Sequence, residues 1–242
     1  MSIFRFKRFN VVNERSAMKV NTDGVLLGAA MTIMPGDSRL LDIGTGTGTI
    51  ALMAAQRLAD MSECSVQIDA IDIDEPSASE AAANFKQSPW SESLYAHYIS
   101  LDGFAATSDV EYDLIFSNPP YFEDSLTAPD IRKSTARHTS DGLSYRDIFD
   151  FAARRLSEHG RVSLVLPSDQ EYDVTRYARM SGLHLFRILR VRTVPRKAPT
   201  RMIVEFSRKR VDEVEDRMLT IQNEGQYTDQ YLSITKEFYL FA

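Results

Sequence analysis

Apolar residues gather in seven short runs along this chain, and the stretches between them carry a helical pattern. Arg39–Ile43 reads as a strand, followed by strand-like runs over 66–71, 95–100, 112–117, 161–166, 185–194 and 201–206. Helices are predicted over 49–59, 75–87, 145–158 and 169–180, the second of them rich in alanine. Strands alternating with helices imply a mostly parallel sheet covered on both faces. The last two runs have no helix between them, and Pro195 and Pro199 lie in their connection, so they predict an antiparallel hairpin at one edge. The expectation is therefore an α/β fold with a seven-stranded sheet. Segment 1–34 precedes the first core strand and is expected to pack as an extra element. The tail from about Val211 to Ala242 reads as helical. No repeat, low-complexity tract or linker divides the 242 residues, which suit one domain with a sizeable core.

Composition changes this picture little. Hydrophobic residues make up 43% and charged residues 26%, ordinary for a soluble protein. The single cysteine, Cys64, cannot form an internal disulfide, which fits a reducing compartment. The N-terminus alternates apolar and basic residues without the apolar core of a secretory signal, and no run approaches the ~20 residues of a membrane span. A cytoplasmic protein with no membrane association is expected. The net charge of −6 does not advertise nucleic-acid binding, but its distribution is uneven. Between Arg187 and Arg210 lie Arg187, Arg190, Arg192, Arg196, Lys197, Arg201, Arg208, Lys209 and Arg210, with Glu205 the only acid; Arg5, Lys7 and Arg8 form a smaller group. Such a run is either a solvated strand face or a phosphate-contacting surface.

Candidate chemistry begins at Leu41-Asp42-Ile43-Gly44-Thr45-Gly46-Thr47-Gly48, between a predicted strand and a predicted helix. Glycine permits the tight turn and close backbone approach, and the helix start offers free N–H groups. A dinucleotide loop would read G-x-G-x-x-G. Here Thr49 stands at the third glycine position and Gly48 comes one residue early, and Asp42 is unexplained by dinucleotide binding. The D-x-G-x-G-x-G form resembles the first motif of class I S-adenosylmethionine-dependent methyltransferases. That resemblance implies that Asp42, Gly44, Thr45, Gly46 and Gly48 back onto the methionine part of the cofactor. Asp72, 24 residues after Gly48, ends the second strand, where a carboxylate can accept from two ribose hydroxyls; Ile73 follows it. Asp74 suits an N-cap for the next helix. Asp102-Gly103 after the third strand is a surface turn when taken alone, but it resembles the family's adenine-binding acid.

Asn118-Pro119-Pro120-Tyr121 ends the fourth strand, where open α/β sheets place their ligands. An exocyclic amino nitrogen conjugated to a ring is a poor nucleophile. Two acceptors, the Asn118 side-chain oxygen and the Pro119 carbonyl, can each take one N–H and turn the lone pair toward a methyl group. Proline pre-organises the carbonyl direction, and Tyr121 can stack on the planar group. An isolated Asn-Pro-Pro is more simply a strand-ending turn; behind a methyl-donor loop it becomes an amino-nitrogen clamp. In-line transfer needs positioning more than a strong base.

Over most of its length the chain resembles the bacterial tRNA1(Val) adenine-37 N6-methyltransferases. The match rests on Phe9-Asn10-Val11, Met18-Lys19-Val20-Asn21-Thr22-Asp23-Gly24, Leu41 to Thr49, Asn118 to Tyr121, Ala136-Arg137-His138 and Lys197-Ala198-Pro199-Thr200-Arg201. Asn21 stands where the family is expected to carry glycine. The resemblance implies a Rossmann-like class I methyltransferase fold, S-adenosylmethionine as cofactor, and methylation of N6 of the adenosine beside the anticodon. It also implies that Thr22 and Asp23 close over the cofactor, although either residue could simply cap a helix. Arg132, Lys133, Arg137 and His138 make the loop after the clamp basic, and with Arg190, Arg192, Arg196, Lys197 and Arg201 they would hold the anticodon arm of tRNA. The histidines lack metal-ligand spacing, so no metal is expected. No obligate protein partner is implied, and the oligomeric state is open.

Protein glutamine N5-methyltransferases, ribosomal-RNA guanine N2-methyltransferases and DNA adenine methyltransferases share the clamp. They differ by an N-terminal helical domain, a duplicated domain or a Phe-ended motif, and a target-recognition domain. A non-catalytic S-adenosylmethionine-binding RNA chaperone would carry a degraded clamp, and this one is intact.

Overall fold

The computed structural model describes residues 2–61, 65–107, 109–120 and 142–241. Cys64, Tyr121, Arg132, Lys133, Arg137 and His138 lie outside these residues. The chain opens with a hairpin, β1 (Ile3–Arg5) and β2 (Asn10–Val12), and a helix, α1 (Thr22–Ala30). The central alternation follows: β3 (Arg39–Ile43), α2 (Thr49–Met61), β4 (Gln67–Asp72), α3 (Glu75–Lys86), β5 (Leu94–Tyr98), α4 (Leu101–Thr107), β6 (Tyr112–Ser117), α5 (Tyr145–Arg155), β7 (Leu156–Pro167) and α6 (Glu171–Met180). Then come β8 (His184–Arg192), β9 (Arg201–Ser207), β10 (Glu215–Thr220), the small hairpin of β11 (Gln222–Asn223) and β12 (Gln226–Tyr227), and α7 (Asp229–Thr235).

The main sheet runs β10-β8-β9-β7-β6-β3-β4-β5. Only β9 runs against its neighbours; β3 to β7, β8 and β10 all point the same way. All seven expected strands are present, and β8 and β9 pair antiparallel as expected. The hairpin is not the edge, however. An eighth strand, β10, adds parallel to β8 and occupies that position. The tail read as helical therefore supplies a strand and a hairpin before its one short helix. β10 hid because its first four residues, Glu215-Asp216-Arg217-Met218, face solvent and carry no apolar run. The free edge of β8 decides its conformation, as strand propensity depends heavily on context.

The sheet buries both faces. Leu40, Leu114 and Phe116 point into a cluster with α1, α2, the N-terminal hairpin and α7, while Leu41, Ile43 and Ile115 point into one with α5 and α6. Alternate residues on one strand thus serve opposite cores, which is why these strands read as continuous apolar runs. The parallel strands end together along one edge of the sheet, and everything that follows sits there.

Candidate active site

Asp42 stands in β3 with its side chain fully buried. Its Oδ2 accepts from Thr45 Oγ1 at 2.7 Å, and its Oδ1 lacks a hydrogen-bond partner. Burial pushes its carboxyl up to about 7, with the charge of Asp72 adding to the effect and the Thr45 hydroxyl opposing it. The glycine loop then leaves β3. Gly44 and Thr45 N–H groups both donate to the Ile71 carbonyl, at 2.9 and 3.0 Å, which ties the loop to β4. Gly44, Gly46 and Gly48 all adopt positive φ, of 72°, 56° and 80°. At Gly48 the space is also closed, because a Cβ would lie 2.4 Å from Phe85 Cε1. The loop can therefore lie flat against α3 only with glycine at that position.

Asp72 links the second strand to the loop. Its Oδ2 accepts from Gly46 N–H at 2.8 Å and its Oδ1 from Asp74 N–H at 2.9 Å. Burial raises its carboxyl above the usual range, and those two amides pull the other way. Carboxylate oxygens accept more than one bond each, so capacity remains for a diol. Ile73 projects beside it, 73% exposed. Asp74 caps α3, accepting from the Ser77 N–H at 3.0 Å and the Ser77 hydroxyl at 2.6 Å. Asp102 is exposed in the first turn of α4, and the Gly103 N–H donates to Ser100 Oγ at 3.1 Å.

Asn118 is placed by β3, the strand that leads into the glycine loop. β6 pairs with β3, and the buried Ser117 hydroxyl donates to the Ile43 carbonyl at 2.6 Å. Asn118 thus begins one strand from the glycine loop, about 5 Å across the sheet. Asn118 and Pro119 are buried and Pro120 is exposed. The Asn118 amide reaches Met18 Sδ at 3.4 Å, which brings in the N-terminal segment. That segment also meets the loop, since a Cβ on Gly46 would lie 3.3 Å from Ser16 Oγ and 3.5 Å from the Met18 carbonyl.

The residues that hold this segment went unread in the sequence. Buried Glu80 accepts from three successive amides, Glu14 at 2.9 Å, Arg15 at 2.7 Å and Ser16 at 3.1 Å. One turn on, Asn84 accepts from Val12 N–H at 2.8 Å and donates to the carbonyls of Val12 and Thr47, at 3.0 and 2.9 Å. Ser77, Glu80 and Asn84 form a polar stripe along an otherwise alanine-rich helix, and that stripe was the available signal. The cap of α1 is also corrected. Asn21, not Thr22 or Asp23, fills it, because its extended backbone lets Oδ1 accept from Gly24 N–H at 2.8 Å. Asp23 instead accepts from Arg201 Nε at 3.0 Å, and Thr22 is the first residue of the helix.

The basic run resolves into several roles. Arg187 forms a buried pair with Glu205, which also accepts from Thr32 and Ser163. Arg190 meets Glu171 at 2.6 and 2.9 Å and Asp216 at 3.0 Å, and these acids raise its guanidinium further above its usual value. Arg192 donates to Thr220 Oγ1 at 2.8 Å and to the Pro195 carbonyl at 2.9 Å. Arg208 donates to the carbonyls of Ala153 and Leu156 as α5 ends. Arg196 and Lys197 are exposed and have no side-chain hydrogen bond or ion pair among the described residues.

An orphaned buried carboxylate oxygen, three left-handed glycines, an acid at the second strand's end with a bare apolar side chain beside it, and an exposed acid at the third fit one kind of group. It is a cofactor with a cationic end, a ribose and a planar base, as S-adenosylmethionine has.

Residues 16–183 match the family described as Methyltransferase small domain. The chain is similar to the tRNA1(Val) (adenine(37)-N6)-methyltransferase of Bacteroides fragilis, 40% identical over 98% of this chain and 97% of that one. It is similar to the same-named protein of Flavobacterium johnsoniae, 39% identical over 98% and 99%. Among solved structures, a predicted O-methyltransferase of Agrobacterium tumefaciens superposes with TM-score 0.62 at 14% identity, covering 89% of this chain and 96% of that one. The 16S rRNA N2 methyltransferase of T. thermophilus, in complex with AdoMet and guanosine, gives TM-score 0.56 at 18% identity, covering 86% and 50%. These two likenesses carry the fold.

Proposed function

The chain belongs to the tRNA1(Val) (adenine(37)-N6)-methyltransferase family, and from that premise we propose that it transfers a methyl group from S-adenosylmethionine to N6 of adenosine 37 in tRNA1(Val). The observation that carries this reading is the placement of Asn118. Strand pairing and the Ser117–Ile43 bond set the clamp one strand from the glycine loop, on the same edge of the sheet.

The cofactor supplies an electrophilic methyl group. The chain supplies position. The Asn118 side-chain oxygen and the Pro119 carbonyl accept the two N–H bonds of the adenine amino group and aim its lone pair. With the cofactor bound, the nitrogen so aimed would take the methyl group as the sulfur–carbon bond breaks, and would then give up one proton to water. Asp72 would hold the ribose hydroxyls, Ile73 and Asp102 the adenine end, and the Asp42 loop the methionine end. Tyr121, expected from the sequence to stack on the target base, lies outside the described residues. The target base must leave its stack to reach the strand ends, which is easier in a single-stranded loop than in a duplex. Exposed Arg196 and Lys197 suit the phosphates of an anticodon arm.

The test uses unmodified transcribed tRNAs with labelled S-adenosylmethionine and nucleoside mass spectrometry. Labelled N6-methyladenosine is expected from one tRNA species, with kcat falling about 10²- to 10³-fold in Asn118→Ala, as for loss of a positioned polar group. Label on ribosomal RNA or protein glutamine alone would replace the substrate. No transfer to any of them would remove the enzyme reading.

A further inference from the structure

Beyond Asn118, the same edge of the sheet carries a concave site of about 340 Å³. That volume lies within the ~300–1,000 Å³ range of small-ligand clefts. Its lining includes Asp23, Thr193, Thr200, Arg201, Gln222 and Tyr227. Arg201 begins β9 opposite Pro167, the last residue of β7, and Val191 near the end of β8 lies opposite Arg201. The cavity therefore sits two to three strands from β6, about 10–15 Å along the edge from Asn118.

Its chemistry is distinctive. The charge of Arg201 is matched by Asp23 at 3.0 Å, so the cavity does not present a bare cation to a phosphate. The side chains of Thr193, Thr200 and Gln222 have no hydrogen-bond partner among the described residues. Two hydroxyls and a primary amide offer donors and acceptors in both senses. Gln222 and Tyr227 are presented together. They pair across the β11–β12 hairpin, whose turn residues Glu224 and Gly225 both have positive φ, 51° and 81°, the conformation of a tight two-residue hairpin. Tyr227 packs 4.9 Å from Tyr231 and 5.3 Å from Phe241, yet remains 40% exposed, so it forms a braced aromatic wall.

A charge-balanced cavity with an aromatic wall and unpaired amide and hydroxyl groups suits a neutral, planar, polar group. We propose that it is a second base site, holding another nucleobase of the same RNA strand a few nucleotides from the methylated adenine. This rests on the RNA reading of the active site. The clamp selects an amino group, which any adenine offers; the second site selects the neighbourhood in which that adenine stands. A strand anchored at both places is splayed across the sheet edge, which would help keep the target base unstacked.

The experiment measures methylation of an unmodified anticodon stem-loop and of versions carrying an abasic residue at each other loop position. Wild type is compared with Tyr227→Ala, Tyr227→Phe and Gln222→Ala. Base–aromatic stacking predicts a rise in KM of about tenfold for Tyr227→Ala, with kcat little changed and Tyr227→Phe close to wild type. One abasic position should raise the wild-type KM similarly and add nothing further in Tyr227→Ala. Affinity for S-adenosylhomocysteine, measured by calorimetry, should stay unchanged and shows that the variants fold. If Tyr227→Ala does not fold, Gln222→Ala carries the same non-additivity test. Wild-type methylation with no loop position sensitive, or with full additivity in every folded variant, overturns the second site and leaves the active-site reading standing. Absence of transfer from wild type to the intact stem-loop and to tRNA overturns that reading, and the second site with it.

Discussion

The two ends of one sheet edge are built differently. Around β3, β4 and α3, function would depend on backbone: positive-φ glycines, amides gathered by carboxylates, and a loop pinned to Ile71 and Asp72. Around β8, β9 and β10, function would depend on side chains held by other side chains, with Arg190 between Glu171 and Asp216 and Arg201 on Asp23. The first end is specified by which residues are sterically possible. The second is specified by which partners arrive from elsewhere in the chain. A substitution should therefore break the first end through geometry and the second through charge.

The largest effect is expected at the first end. Gly48→Ala meets Phe85 at 2.4 Å and requires φ near 80°. Left-handed strain and overpacking together should cost roughly 2–4 kcal/mol. A fall in melting temperature on the order of 10 °C, with loss of cofactor binding by calorimetry, is the expected outcome. A wild-type melt would mean that the loop is not locked against α3.

A titration sharpens the same end. The Asp42 carboxyl sits at about 7 against an ordinary 3.8, chiefly through burial. The folded form then holds this proton more tightly than the unfolded chain. Its stability contribution is complete below about pH 4 and is lost as pH rises through 7. Asp42→Asn should remove that loss, so its melting temperature should gain on wild type between about pH 5 and pH 8. Parallel profiles would exclude Asp42 as the titrating group.

The smallest effects separate the two kinds of arginine. Replacing Arg196 and Lys197 together with Ala should weaken tRNA binding and lower its salt slope by about 2, one per lost phosphate contact, without moving the melt. Arg190→Ala should do the reverse, costing about 1 kcal/mol of stability and leaving the slope unchanged. Equal salt slopes in both variants would erase the distinction between matched and unmatched charge.

That contrast also explains what could be read in advance. Arg39–Ile43 and Tyr112–Ser117 were legible to the residue, because strands buried on both faces leave continuous apolar runs. The places of Asp42 in β3 and Asp72 at the end of β4, and the Asp74 cap, were legible because their spacing to glycine and to a helix start is fixed by local geometry. Glu80 was not, because a glutamate on an alanine-rich helix looks solvated until residues 14–16 cover it. Glu171 and Asp216 lie 19 and 26 residues from Arg190, so counting charge along 187–210 could not reveal that they neutralise it. β10 escaped for a related reason, since its conformation is set by a neighbour's unfilled hydrogen bonds.

Glu80 has a wider consequence. One helix grips the start of the chain through Glu80 and the glycine loop through Asn84. Residues 2–16 are thus part of the same cooperative unit as the glycine loop. Cutting them away would strand a buried carboxylate without its three donors, a defect of the kind that costs several kcal/mol. By reciprocity, a ligand that steadies the loop steadies the chain's beginning as well, about thirty residues earlier in sequence.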